Sequence, residues 1–85
     1  MFSELNIDLL RTFVAVVESG SFTKASRTVF RSQAAVSMQV KRLEESIGQP
    51  LFVRDTRNLE LGQTGMALLP YARRLLVELV KALPI

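Results

Sequence analysis

The sequence predicts a mainly α domain, a winged helix-turn-helix built of three helices and a short two-stranded wing, followed by one more long helix. Three observations carry that expectation. Helical hydrophobic periodicity recurs four times along the 85 residues, and the first three recurrences are separated by breaks of only a few residues. Two short runs of strand type, residues 51–53 and 59–61, flank a polar stretch and fall between the third and fourth helical patterns. A chain of this length forms one domain and buries only about 60–65% of its unfolded surface, so its core must be simple.

The elements follow in order. Leu10, Phe13, Val14 and Val17 stand at i, i+3, i+4 and i+7, with Leu9 and Val16 widening the stripe, so Ile7 to Ser19 reads as an amphipathic helix that Gly20 stops. Ser21 can cap a short second helix in which Phe22, Ala25 and Val29 share a face, ending near Val29. Small Ala25 and Ser26 leave room there for a crossing helix. After the turn Phe30-Arg31, Ser32 is the next N-cap candidate, and Val36, Val40, Leu43 and Ile47 form one narrow apolar stripe that ends at Gly48 and Pro50.

The strand runs on either side of residues 54–58 then make a small hairpin. From about Gly62 or Thr64 the helical pattern returns, and Leu69, Ala72, Leu76, Leu79 and Leu83 step by three and four as an a/d seam. Pro70 lies inside that helix, where it removes a backbone bond and would bend the axis. The expected division is a winged helix-turn-helix at 5–62, with its helix-turn-helix at about 22–41 and its wing at about 51–61, and a linker helix at 63–85.

Composition excludes several kinds of chemistry. With no Cys and no His there is no disulfide framework, no thiol or imidazole nucleophile and no ordinary zinc site. The acids Asp8, Glu44, Glu45, Asp55 and Glu60 show no pairing that periodicity places in one pocket, and no Gly-rich phosphate loop occurs. No enzyme, no cofactor and no metal are therefore expected. The longest apolar stretch, residues 13–17, is far shorter than the roughly 20 residues of a bilayer crossing, and the first four residues lack a basic, then apolar, signal pattern. A soluble, cytoplasmic chain is the expectation.

The net charge of +3 is uneven along the chain. Residues 1–20 sum to −2, residues 21–57 to +4 and residues 58–85 to +1, and no acid stands between Ser19 and Leu43. A basic centre suits a polyanion, either nucleic acid or an anionic membrane surface. Charge by itself is equally compatible with an ordinary solvated surface.

The third helix separates these readings. At 100° per residue its apolar stripe leaves Ala34, Met38, Lys41 and Glu45 on the opposite side, flanked by Ser37 and Arg42, with Gln33 in the first turn. Gln and Ser exchange hydrogen bonds with base edges, Ala and Met offer apolar contact to a thymine methyl, and Lys suits phosphate or guanine. Gln33, Ala34, Ser37, Met38 and Lys41 are thus the base-reading candidates for a helix in a major groove. Thr23, Lys24, Arg31, Ser32 and Arg42, with Arg54 and Arg57 of the wing, stand where a duplex backbone or flanking minor groove would pass. Lys24 and Thr23 also begin the second helix, whose free backbone N–H groups would meet a phosphate.

Residues 13–25 (FVAVVESGSFTKA), 32–37 (SQAAVS), Arg42-Leu43-Glu44, Gly48, Leu51-Phe52 and Arg54 resemble the N-terminal DNA-binding domain of LysR-type transcriptional regulators. The resemblance runs from about Leu5 to Leu76. It implies a winged helix-turn-helix, double-stranded DNA as partner, a fourth helix that pairs two subunits, and a C-terminal domain that binds a small-molecule effector and is absent from this chain. Gln33 and Ser37 match groove positions of the family; Thr23, Arg42, Arg54 and Arg57 match backbone-side positions. Ala34 replaces a frequent Pro, Met38 a frequent Arg, Ser26 a frequent Ala and Val53 a frequent Glu. Gly62 stands where the family has a capping Thr, a role that Thr64 would take two residues later.

A leucine seam usually belongs to a chain's own core. In a domain this small little core is left beyond Ala72, so Leu76, Leu79, Val80 and Leu83 are expected to be exposed in a monomer and covered by a second copy. The dimer-helix candidates are Leu69, Ala72, Leu76, Leu79, Val80 and Leu83. The expected function is sequence-specific DNA binding as part of a dimeric bacterial transcription regulator. The alternative is an interaction module in which the winged helix is a scaffold and the fourth-helix seam binds a protein partner.

Overall fold

The computed structural model of the chain describes residues 6–54 and 59–84. Its elements are α1 (Ile7–Ser19), α2 (Phe22–Thr28), α3 (Gln33–Ile47), β1 (Phe52–Arg54), β2 (Leu59–Leu61) and α4 (Gln63–Ala82), with β1 and β2 antiparallel in the register Phe52 to Leu61. This is the winged helix-turn-helix order with a long fourth helix that the periodicity predicts. The first strand lies one residue further along than expected, because the Leu51 N–H is drawn to the Glu44 carboxylate at 2.8 Å instead of into the ladder.

α1 is the hub. Every position from Thr12 to Val16 is buried, which takes in the whole circumference of the helix, and α2, α3 and α4 each pack against it. Phe13 of α1, Phe22 of α2 and Phe52 of β1 meet as an aromatic cluster, with ring centroids 5.7 Å apart for Phe13–Phe52 and 6.2 Å for Phe22–Phe52. From α3, only Val36, Val40 and Leu43 are buried, as the narrow stripe implies.

The helix ends use local chemistry. Ser21 Oγ accepts from the Lys24 N–H at 2.9 Å and Ser32 Oγ from the Ala35 N–H at 3.1 Å, while Gly20 (φ 76°) and Gly48 (φ 84°) close α1 and α3 in the left-handed region. Asn6, which the periodicity does not mark, caps α1 by accepting from the Leu9 N–H at 2.9 Å. Between α2 and α3 the Arg31 N–H reaches back to the Ser26 carbonyl at 2.9 Å, a closure that puts Phe30 at φ 56°. Phe30 is also 94% exposed. A side chain in that backbone region costs roughly 1–2 kcal/mol, and here no burial offsets it.

The wing is anchored at its base to both neighbouring helices. Leu51 is fully buried, its N–H held by Glu44 of α3 and its carbonyl accepting from the Gly62 N–H at 2.8 Å at the head of α4. That pairing sets where α4 begins. Gly62 is its N-cap, without a side-chain cap, and Thr64 is the second residue of the helix instead of the cap expected there. A Cβ at Gly62 would stand 3.3 Å from the Leu51 carbonyl oxygen, so a side chain at this cap position would press on the backbone of the wing.

The first half of α4 belongs to the same core. Ala72 is fully buried, and Leu68, Leu69 and Leu76 pack half-buried against the cluster, so the boundary expected at residue 62 runs through one packed unit. Three of the dimer-helix candidates, Leu69, Ala72 and Leu76, are thereby occupied within their own chain, and Leu76 is not the exposed residue that was expected. Leu79, Val80 and Leu83 are 41%, 62% and 48% exposed. Pro70 lies on the solvent side and α4 continues through it.

One polar chain, running from the buried Thr12 out to the surface, ties α3 to α1. The fully buried Thr12 donates to Gln39 Oε1 at 2.5 Å, Gln39 Nε2 donates to Asp8 Oδ2 at 2.9 Å, and Arg31 Nη2 donates to the same oxygen at 2.5 Å. Gln39 therefore satisfies two groups one turn apart in the N-terminal half of α1 and fixes how α3 is turned about its own axis.

Two stability predictions follow from this packing. In Gly65→Ala the new Cβ overlaps the Leu51 carbonyl oxygen and the Leu61 side chain. The expected net loss is about 1–3 kcal/mol despite the better helix propensity of Ala, seen as a fall of several degrees in the thermal midpoint. Gln39→Leu strands the Thr12 hydroxyl and should cost about 1–3 kcal/mol in denaturant unfolding, with part of the loss recovered when Thr12→Val is added.

Candidate nucleic-acid interface

α2 and α3 cross so that their N-termini lie side by side, with Thr23 Oγ1 donating to Gln33 Oε1 at 3.2 Å. The stripe of Val36, Val40 and Leu43 turns the other side of α3 outward. Gln33, Ala34, Met38, Lys41, Arg42 and Glu45 are exposed on it and Ser37 is half-buried at its edge. All five base-reading candidates thus share one accessible surface, with Met38 its largest apolar group at 58% exposure. The single acid on the surface, Glu45, lies toward the far end of the helix.

The backbone candidates divide. Thr23 and Lys24 are exposed on α2, beside Arg27, a base the sequence reading left unassigned. Lys24, Arg27, Lys41 and Arg42 take part in no ion pair among the described residues. The Lys24 backbone N–H is not the free phosphate donor expected there, because the Ser21 cap accepts it. Ser32 likewise spends its hydroxyl on the Ala35 N–H. Arg42 flanks the reading surface, lining a shallow hollow with Asn6, Leu9, Glu45 and Ser46 beside the start of α1.

Arg31 is where the structure departs most from the sequence reading. Its guanidinium is paired with Asp8 of α1, so a residue expected at a phosphate is committed to an acid 23 positions earlier. The acid-free stretch around it carried no hint of this partner, which arrives from the acidic N-terminal segment through the fold. Arg54 is the last residue of β1. Arg57 lies outside the described residues, as does the side chain of Arg54.

The sequence reading also missed Asp8, Thr12 and Gln39, whose chain of hydrogen bonds holds α3 against α1. Only the buried position of Thr12 within an apolar helical run offered a signal. Among the described residues no cluster of His, Cys, Asp and Glu could hold a metal, and no helix is long and apolar enough to cross a membrane.

Known proteins match this arrangement. Residues 7–66 match the family model described as bacterial regulatory helix-turn-helix protein, lysR family. The chain is 50% identical over 72 residues to the HTH-type transcriptional regulator PecT of Dickeya dadantii, and 46% identical over 72 residues to the regulator DgdR of Burkholderia cepacia. Each match covers 85% of this chain but only 23% and 24% of those proteins, so the chain spans about a quarter of their length.

Among solved structures, the BenM DBD in its complex with benA site 1 DNA superposes with a TM-score of 0.86 at 36% identity, covering 91% of this chain and 86% of that one. The CbnR DBD in its DNA complex gives a TM-score of 0.86 at 32% identity, covering 92% and 90%. Fold, motif and identity over most of its length agree, and the chain belongs to the LysR family of bacterial regulatory helix-turn-helix proteins.

Proposed function

We propose that this chain is the DNA-reading part of a dimeric bacterial transcription regulator, with α3 lying in the major groove and the wing on the flanking backbone or minor groove. The observation that carries this reading is the outward face of α3, which presents small, polar and basic groups next to Lys24 and Arg27 of α2, neither ion-paired among the described residues. A face of that make-up matches the width and edge chemistry of the major groove. The relatives named above are transcriptional regulators, and the two superposed domains were solved on DNA.

Gln33, Ala34, Ser37, Met38 and Lys41 read bases in this proposal, and Lys24, Arg27, Arg42 and Arg54 neutralise phosphates. Arg31 leaves the list of contacts because Asp8 matches its charge. The protein acts in the cytoplasm, on the chromosome. A small-molecule effector, if one is used, binds the region of the relatives that this chain does not span.

Pairing of two copies uses the end of α4. On the helical wheel Leu79 and Leu83 fall within about 20° of the buried Ala72, so the apolar stripe of the core continues outward past the body of the domain. With Leu75 and Val80 it forms an exposed apolar strip suited to a second copy. A two-fold pair would set two reading helices on half-sites about 34 Å apart or more. The same strip is the one observation in favour of the second reading, a scaffold whose α4 docks another protein.

Duplex affinity measured against salt tests the proposal, with log K falling by about 0.9 per decade of salt for each phosphate neutralised. Absence of binding at low salt rules it out, and dimerisation without DNA affinity in sedimentation would favour the second reading. Gln33→Ala and Ser37→Ala should each lower discrimination between sites by about 1–3 kcal/mol. Arg42→Ala and Arg54→Ala should weaken all duplexes alike and flatten the salt dependence by about one phosphate, while Arg31→Ala should leave it nearly unchanged. Leu79→Glu with Leu83→Glu should convert a sedimenting dimer to a monomer with the same circular dichroism, since neither residue is part of the core.

A further inference from the structure

Thr23 and Gln33 stand on different helices, ten residues apart, and both are exposed, yet their side chains meet in front of the first turn of α3 with Thr23 Oγ1 donating to Gln33 Oε1 at 3.2 Å. A threonine hydroxyl carries one proton. Spent on Gln33, that proton is withheld from a phosphate oxygen, and the lone pairs that remain on Thr23 can only accept. The bond also orients the carboxamide. Its oxygen is turned toward α2, and its two N–H donors form the end left for a base edge.

We infer that Thr23 is a positioning residue that presents Gln33 to the groove as a hydrogen-bond donor, so that the base read there is one offering acceptors, guanine through N7 and O6. The inference rests on the reading of Gln33 as a base contact. An unconstrained glutamine pairs with adenine by accepting from N6 and donating to N7, which needs the carboxamide oxygen to face the base. The Thr23 hydroxyl opposes that orientation. Thymine offers a single acceptor, O4, and engages only one of the two donors. Thr23, which matches a backbone-side position in sequence, thereby acts on specificity through Gln33 and not on affinity through a phosphate.

The test compares the full chain with Thr23→Val, Thr23→Ser and Gln33→Ala, each first shown to melt like the parent. Bound duplexes are selected from a random pool at fixed salt, and competition titrations are then run at each position of the recovered motif. The parent should prefer guanine at the position whose preference Gln33→Ala abolishes. Thr23→Val should lower the guanine-over-adenine ratio at that same position by about two- to tenfold, the range one neutral hydrogen bond supports, and leave the other positions unchanged. Thr23→Ser, which keeps the hydroxyl, should behave as the parent.

A uniform loss of affinity in Thr23→Val would make Thr23 a phosphate contact and overturn the inference. So would adenine at the Gln33 position of the parent, or a silent Thr23→Val beside a Gln33→Ala that loses a base. If Gln33→Ala leaves every base preference intact, the assignment of Gln33 as a reader fails first, and the inference falls with it.

Discussion

The burial of α1 around its whole circumference is the constraint on which the rest of the structure depends. In a domain of this size the middle of α1 takes the most enclosed place, with Phe13 and Val16 wholly inaccessible while Arg11 and Glu18 of the same helix face solvent. Each remaining helix then needs only one stripe of contact with it. α3 illustrates the gain: Val36, Val40 and Leu43 hold it to the core, and most of its circumference is left for chemistry unrelated to folding. A helix that had to bury two faces would have little surface with which to read anything.

Hydrogen bonding supplies what this narrow attachment lacks. Three side chains on one stripe resist sliding but leave the roll of α3 about its axis loosely specified. The Thr12–Gln39–Asp8 chain and the Thr23–Gln33 contact act at different points of α3, one against α1 and one against α2. The same network redistributes charge. Asp8, read along the chain as part of an acidic beginning, stands in space beside the basic centre and cancels Arg31. Among the described side chains of the basic segment, the charge left open on this surface is that of Lys24, Arg27, Lys41 and Arg42, with Arg31 matched by Asp8.

The elements that could be read directly from the residues are those whose causes are local. α1, α2 and α3 follow from apolar spacing, from Ser21 and Ser32 as caps and from Gly20 and Gly48 as stops, all within a few positions of what they determine. The outward face of α3 follows from the same spacing, so the shared exposure of Gln33, Ala34, Met38 and Lys41 is legible in the residues themselves. The pairings of Asp8 with Arg31 and Gln39 span 23 and 31 residues, and no periodicity encodes a bond between such distant polar groups. The start of α4 near Gly62 is legible in the returning periodicity, whereas the Leu51 carbonyl that accepts the Gly62 N–H across the wing is not. Leu76 was misjudged because the number of α4 turns that the core covers is a matter of packing geometry, while a seam of leucines looks alike inside and outside a core.

The apolar stripe of α4 passes from core to overhang without a joint: Ala72 and Leu76 are seated in the domain, and Leu79 and Leu83 carry the same line into solvent. The helix thus behaves as a shaft keyed at one end. Its tip keeps a fixed rotational phase relative to α3, because nothing between Leu76 and Leu79 can turn independently. One residue inserted there would swing the tip through about 100°, and four would bring it back to within about 40° while pushing it roughly 6 Å further out. Side chains along that stretch can vary within the apolar class, but its number of residues is a mechanical dimension of the molecule.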